Sequence, residues 1–164
     1  MISTKGRYAL RALIDIAEHS ESDGAFAPLS DVARRQGISK KYLESIVSTL
    51  TRAGLVQGLR GKGGGYRLVV PPEQITVARV VRLMEGTLAP VACLECEGSS
   101  QGCERKDSCR TLPMWKGLDR VVSDYLEGIT VRDLMRQGPE RGREACAEQP
   151  GGCPADVPAR PARG

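Results

Sequence analysis

The sequence predicts a mainly α chain carrying one small β-hairpin, and three observations predict it. Apolar residues recur at steps of three and four along most of the chain. Only two short runs are β-prone, and a segment rich in glycine joins them. With 164 residues and 40% hydrophobic content, the chain has room for one core and not for a second independent domain. No apolar run approaches the roughly eighteen residues that span a bilayer. The N-terminal stretch from Met1 to Arg7 meets a charged amphipathic segment rather than a signal-peptide core, so a cytoplasmic location is expected.

Tyr8, Ala9, Leu10, Ala12, Leu13, Ile14, Ile16 and Ala17 form a broad apolar band with Arg7, Arg11, Asp15 and Glu18 on the other face. That spacing predicts a buried helix over Thr4 to His19. Ser20 to Ala27 is polar and ends at Pro28, which reads as a loop. Ser30 is expected to cap a short helix over Asp31 to Gln36, and Gly37 suits the left-handed position that stops it. Ser39 then caps a third helix, Lys40 to Ala53, with Leu43, Ile46, Val47 and Leu50 on its inner face and Gly54 at its end.

Leu55-Val56 and Tyr66 to Val70 are the β-prone runs, joined through Arg60-Gly61-Lys62-Gly63-Gly64-Gly65. They read as a hairpin with a glycine-rich tip. The same glycines do not make a dinucleotide loop, because such a loop opens into a helix and here a β-run follows. A short helix, a tight turn, a second helix and a hairpin make a winged helix-turn-helix, placed at residues 1–72. In that motif the second helix lies in the major groove and the hairpin wing tracks the backbone or minor groove. Candidate DNA-binding residues are therefore Ser39, Lys40, Lys41, Tyr42, Glu44 and Ser45 on the helix, and Arg60 and Lys62 in the wing. Residues 1–70 carry eleven Lys and Arg against six Asp and Glu, so the positive excess of the chain lies in this segment.

Residues 73–136 hold a helix capped by Thr76 over Val77 to Glu85, a cysteine loop from Thr87 to Thr111, and a long helix from Leu112 to Leu126. The apolar stripe of that long helix must cover the winged helix or meet its copy in a second subunit. Thr130 caps a last short helix ending near Arg136, and residues 137–164, with five Gly and five Pro, read as a disordered tail.

The loop carries Cys93, Cys96, Cys103 and Cys109 in the spacing Cys-x2-Cys-x6-Cys-x5-Cys. In a reducing compartment such thiols read as metal ligands or redox sensors before they read as disulfides. Iron-sulfur ligation, structural zinc and a bare thiol switch are the readings open to them, while Cys146 and Cys153 sit in the tail with nothing to position them. A thiol oxidoreductase needs an activating neighbour, and the single histidine, His19, is far in sequence from every cysteine. No catalysis and no small-molecule substrate are expected.

Thr4-Lys5-Gly6-Arg7-Tyr8-Ala9, Leu29-Ser30-Asp31-Val32-Ala33, Gln36-Gly37-Ile38-Ser39, Tyr42-Leu43-Glu44, Leu55-Val56 and Arg60 to Tyr66 follow one another in an order that closely resembles the IscR-type iron-sulfur cluster regulators. These are bacterial winged-helix transcription factors, and the resemblance covers residues 1 to about 136. It implies a homodimer on a palindromic double-stranded DNA operator, paired through the long helix. It also implies an iron-sulfur cluster, 2Fe-2S in preference to 4Fe-4S, on the preceding loop as the sensor of cluster supply, redox state or nitric oxide. Cys93, Cys103 and Cys109 match the three ligand cysteines of that family. Where its cluster-assembly members have a histidine three residues after the last cysteine, this chain has Leu112 while keeping Trp115, and Cys96 is the candidate fourth ligand. The alternatives are a thiol-based redox protein or a zinc-stabilised regulator without a cluster.

Overall fold

The computed structural model describes residues 2–23, 25–61, 63–95 and 108–137. Among these residues seven helices and one two-stranded antiparallel sheet follow in the order α1 (Thr4–Asp23), α2 (Leu29–Gln36), α3 (Lys40–Arg52), β1 (Val56–Leu59), β2 (Gly65–Leu68), α4 (Val77–Glu85), α5 (Ala92–Glu95), α6 (Leu112–Glu127) and α7 (Val131–Arg136). A 3-10 turn at Pro72–Gln74 leads into α4. The result is a winged helix-turn-helix with a second helical layer behind it.

The core is built around α1. Ala9, Ala12, Leu13, Ile16 and Ala17 are fully buried on it, and they meet Val32 and Ala33 of α2, Leu43, Ile46, Val47 and Leu50 of α3, and Val80 and Met84 of α4. Three alanines on one face let neighbouring helices approach closely, which is how so short a chain closes a core. The helix runs one turn beyond the expected His19, because the Ser20 hydroxyl donates to the Ile16 carbonyl (2.7 Å) and so satisfies itself within the helix.

Two local expectations are corrected. The cap of α2 is Pro28 and not Ser30: the ring sets Pro28 at φ −63°, and its carbonyl accepts from the N–H groups of Asp31 (3.0 Å) and Val32 (3.2 Å). Ser30 consequently lies in the first turn. Asp15, assigned to the outer face of α1, is 4% exposed. Arg35 of α2 donates to its two oxygens at 2.5 and 3.0 Å, and the Gln36 amide adds a bond of 2.8 Å. Arg11 completes the join by donating to the Gln36 carbonyl at 2.6 Å.

Gly37 adopts φ 64°, ψ 35°, and the next N–H, of buried Ile38, returns to the Ala33 carbonyl at 3.0 Å. The turn then releases Ser39 to cap α3, its hydroxyl accepting the Tyr42 N–H at 3.3 Å. In the wing, Val56 pairs with Leu68 and Leu59 with Gly65. Ala27, expected in a loop, adds one bridge to this hairpin by exchanging two 2.9 Å backbone bonds with Tyr66. A Cβ on Gly65 would sit 2.3 Å from the Ala27 carbonyl oxygen, so the close approach requires glycine there.

The C-terminal segment laces back onto this body. Thr76 bridges Thr130, the Val131 N–H donates to the Ile75 carbonyl at 2.9 Å, and Thr130 with Asp133 forms a capping box for α7. The cysteine stretch expected as loop contains the single helical turn α5 at its start. Its residues 96–107, and the tail from residue 138 expected to be disordered, lie outside the described residues.

The Asp15 clasp can be tested against a surface pair on the same helix. Arg35→Ala leaves a buried carboxylate with only its Gln36 partner and should lower unfolding stability by about 2 kcal/mol. Arg34, whose side chain is 76% exposed in its pair with Asp31, should lose under about 0.5 kcal/mol on the same change. Urea midpoints at one protein concentration measure both, and equal losses would contradict the assignment.

Candidate DNA interface and metal centre

α3 buries Leu43, Ile46, Val47 and Leu50, and so turns its opposite face outward. On that face Lys40, Lys41, Glu44 and Ser45 are exposed, within the first two turns of the helix. Ser39 is exposed too, but its hydroxyl is engaged as the cap; the Ser45 hydroxyl donates to the Tyr42 carbonyl at 2.7 Å. Tyr42 is half-buried, its ring edge-on to Tyr8 of α1 with centroids 6.1 Å apart. The Arg11 guanidinium lies over the Tyr8 ring, 5.5 Å from its centroid. Tyr42 therefore joins the exposed helix to α1 while keeping part of its surface toward solvent. Arg60 is exposed directly after β1, and Lys62 lies outside the described residues.

Of the four loop cysteines, the described residues hold two, Cys93 and Cys109, and neither is in a disulfide. Cys93 is half-buried on α5; Cys109 is half-buried just before α6. The Thr111 hydroxyl, 3.4 Å from the Cys109 sulfur, together with the backbone N–H groups of Thr111 and Leu112, holds this thiol below the usual cysteine range. A thiolate favoured in this way is the form that binds soft metals. Cys96 and Cys103 lie outside the described residues, and among the described residues no three metal-ligating side chains gather.

One functional contact has no signal in the sequence. Glu85, the last residue of α4, accepts at Oε1 from the Ser3 N–H (3.1 Å), the Ser3 hydroxyl (2.7 Å) and the Gly6 N–H (3.1 Å). It therefore caps α1 from a different helix, at the end of α1 where unpaired N–H groups attract negative charge. Burial raises the Glu85 carboxyl, but these bonds overcome it and hold the group below the usual carboxylate range. The cysteine segment starts one turn later, through Gly86 at φ 85°, and Leu88 and Pro90 share an apolar hollow with Ile2 and with Val122 of α6. The entry to the cysteine segment, the start of α1 and α6 thus meet at one place.

α6 runs beside α4, where Glu127 is bound by Arg82 and accepts the Thr76 hydroxyl at 2.8 Å. None of its residues is buried, and Met114 (53% exposed), Leu118 (41%), Val121 (66%) and Tyr125 (68%) line one outward stripe at steps of four, three and four.

The sign of the Glu85 effect follows from its depressed folded value. Its contribution to stability is present at neutral pH and is lost as pH falls through that value. Glu85→Gln should lower stability at neutral pH and flatten the acid side of the stability profile, read by unfolding at a series of pH values. Parallel acid limbs for the two proteins would contradict the capping role.

A family model described as Rrf2, iron-dependent transcriptional regulator, matches residues 2–137. The chain is 40% identical over 134 residues to the HTH-type transcriptional regulator IscR of Aliivibrio salmonicida, covering 82% of this chain and 76% of that one. Among solved structures, the global cysteine regulator CymR of B. subtilis superposes with a TM-score of 0.69 at 32% identity, covering 84% of this chain and 98% of its own. IscR of T. potens superposes with a TM-score of 0.66 at 30% identity, covering 93% of each chain. No helix among the described residues is long and apolar enough to cross a membrane. The chain belongs to the Rrf2 family of iron-dependent transcriptional regulators, and it is a DNA-binding regulator rather than an enzyme.

Proposed function

We propose that this regulator is a homodimer whose affinity for a palindromic operator is set by an iron-sulfur cluster held by Cys93, Cys96, Cys103 and Cys109. Residues 1–72 read the DNA, and residues 73–136 hold the cluster and pair the subunits. The observation that carries the reading is the cysteine segment's place: it leaves α4 beside the Glu85 cap and returns at Cys109 into α6. The two ends of that segment thus lie at α4, whose last residue caps the first helix, and at the start of α6.

The donor chemistry fits such a group. Cys109 is already biased toward thiolate by the start of α6. Cys93 stands outside any disulfide on a short helix. With Leu112 at the position where a histidine ligand is expected, Cys96 completes a set of four sulfurs. When bound, the cluster supplies iron and sulfide chemistry that answers to redox state, nitric oxide or cluster supply. Four thiolates put more negative charge on it than three with a histidine and lower its reduction potential. A 2Fe-2S centre is preferred.

The stripe Met114, Leu118, Val121 and Tyr125 supports pairing through α6, since its alternation of four and three is the seam two helices use to bury apolar side chains against each other. A twofold dimer then presents two α3 helices to half-sites about one helical turn apart. On each half-site Lys40, Lys41, Glu44 and Ser45 meet base edges or phosphates, Ser39 and Tyr42 fix the helix, and Arg60 with Lys62 follows the backbone from the wing.

Anaerobic purification with iron, sulfide and absorption measurements tests the cofactor. Bound iron and acid-labile sulfide that fall to background in Cys93→Ala, Cys96→Ala and Cys109→Ala are the expected result. Zinc without sulfide would replace the cluster by a structural metal, and full occupancy in Cys96→Ala would remove that residue from the set. Val121→Asp should convert the dimer to monomer in sedimentation at unchanged helix content; an unaltered dimer would place the interface elsewhere.

A further inference from the structure

The outward face of α3 does not end at Ser45. Ser48 and Arg52 continue it at exposed positions, seven and eleven residues after Lys41, on the side opposite the buried Leu43, Ile46, Val47 and Leu50. Here the wing comes alongside. Ser48, Thr51 and Arg52 of the helix and Leu59, Arg60 and Tyr66 of the wing line one open hollow. Gly58 makes room for it: a Cβ at that position would lie 3.0 Å from the Tyr66 ring, so its absence lets the ring lie across β1 as the floor.

The chemistry of the hollow is one-sided. It brings together two guanidinium groups, hydroxyls and a phenol, and among the described residues no carboxylate lines it. Neither Arg52 nor Arg60 is ion-paired among the described residues. Arg52 makes one long contact, 3.4 Å to the Thr49 hydroxyl, which leaves its remaining donors outward. Two positive forks beside a hydroxyl-bearing helix face suit a phosphodiester, whose oxygens accept paired N–H donors.

We propose that this hollow is a DNA-backbone site in which Arg52 and Arg60 grip one phosphate of the strand that borders the groove read by the first turns of α3. The inference rests on the DNA-reading role proposed above and adds Arg52 and Ser48 to it. The hollow continues that reading face without interruption, so DNA seated on the start of α3 passes over it toward the wing tip. Gripping a phosphate fixes the register of the helix on the duplex and carries no sequence preference of its own.

The test uses the full-length, anaerobically purified protein with two duplexes, one selected by it from a random-sequence library and one a scrambled version. Arg52→Gln should weaken binding to both by the same factor and lower the slope of log K against log salt by about 1 per protomer. Arg52→Lys should keep most of the slope. Combining Arg52→Gln with Arg60→Gln should weaken binding by less than the product of the separate effects, as expected for two side chains on one phosphate. Because Arg52 is exposed, unfolding curves should match the parent. An unchanged affinity and slope, or a loss confined to the selected duplex, would overturn the phosphate site while leaving the regulator reading in place. A parent protein without affinity for either duplex would overturn that reading itself.

Discussion

The inner face of the first helix is the constraint on which the rest of this structure depends. Ala9, Ala12 and Ala17 leave space for neighbours that Leu13 and Ile16 then fill, so α2, α3, α4, α7 and the wing all find their places against one rod. An enlarged side chain on this buried face must displace its neighbours, and overpacking by even one or two methylenes typically costs about 1–3 kcal/mol. The same rod carries two polar attachments at different points along it. Glu85 grips its first turn, and Asp15 in its middle grips α2 through Arg35 and Gln36.

That arrangement gives the proposed switch a physical path. Tyr8, one turn from the Glu85 grip, is the residue on which Tyr42 of α3 leans. A change at the cysteine segment that shifts the end of α4 would therefore act on the start of α1, and through the Tyr8–Tyr42 contact on the helix proposed to read DNA. In the proposed dimer, a path through α6 would act differently, by changing how the two copies of α3 are spaced.

Much of the fold was legible in the residues because local rules decide it. Periodicity marked α1, α3, α4 and α6; Ser39, Thr76 and Thr130 declared their helices as caps; Gly37 marked the turn between the two helices of the motif. What escaped depends on distant partners. Glu85 and Ser3 are 82 residues apart, and neither is unusual in its own neighbourhood. Asp15 read as a solvent-facing charge because its covering residues, Arg35 and Gln36, belong to another helix. Ala27 pairs with the wing only because Gly65 lacks a side chain, a three-dimensional fact. On the reading face the exposed residues of the first turns were evident, whereas Tyr42's lean onto Tyr8 needed the crossing of α1 and α3. The spacing of the cysteines pointed to a metal site or a thiol switch, whereas the helical turn beneath Cys93 left no periodic pattern, being too short.

The central claim is that a cluster on the cysteine segment changes how tightly the paired winged helices hold DNA. Affinity for one selected duplex, measured at one salt concentration for the cluster-loaded protein and for the same protein after cluster removal, tests it most directly. A difference of roughly 5- to 150-fold between the two forms is expected, abolished when Cys109 is replaced. Equal affinities from a preparation shown to carry full iron and sulfide would contradict it.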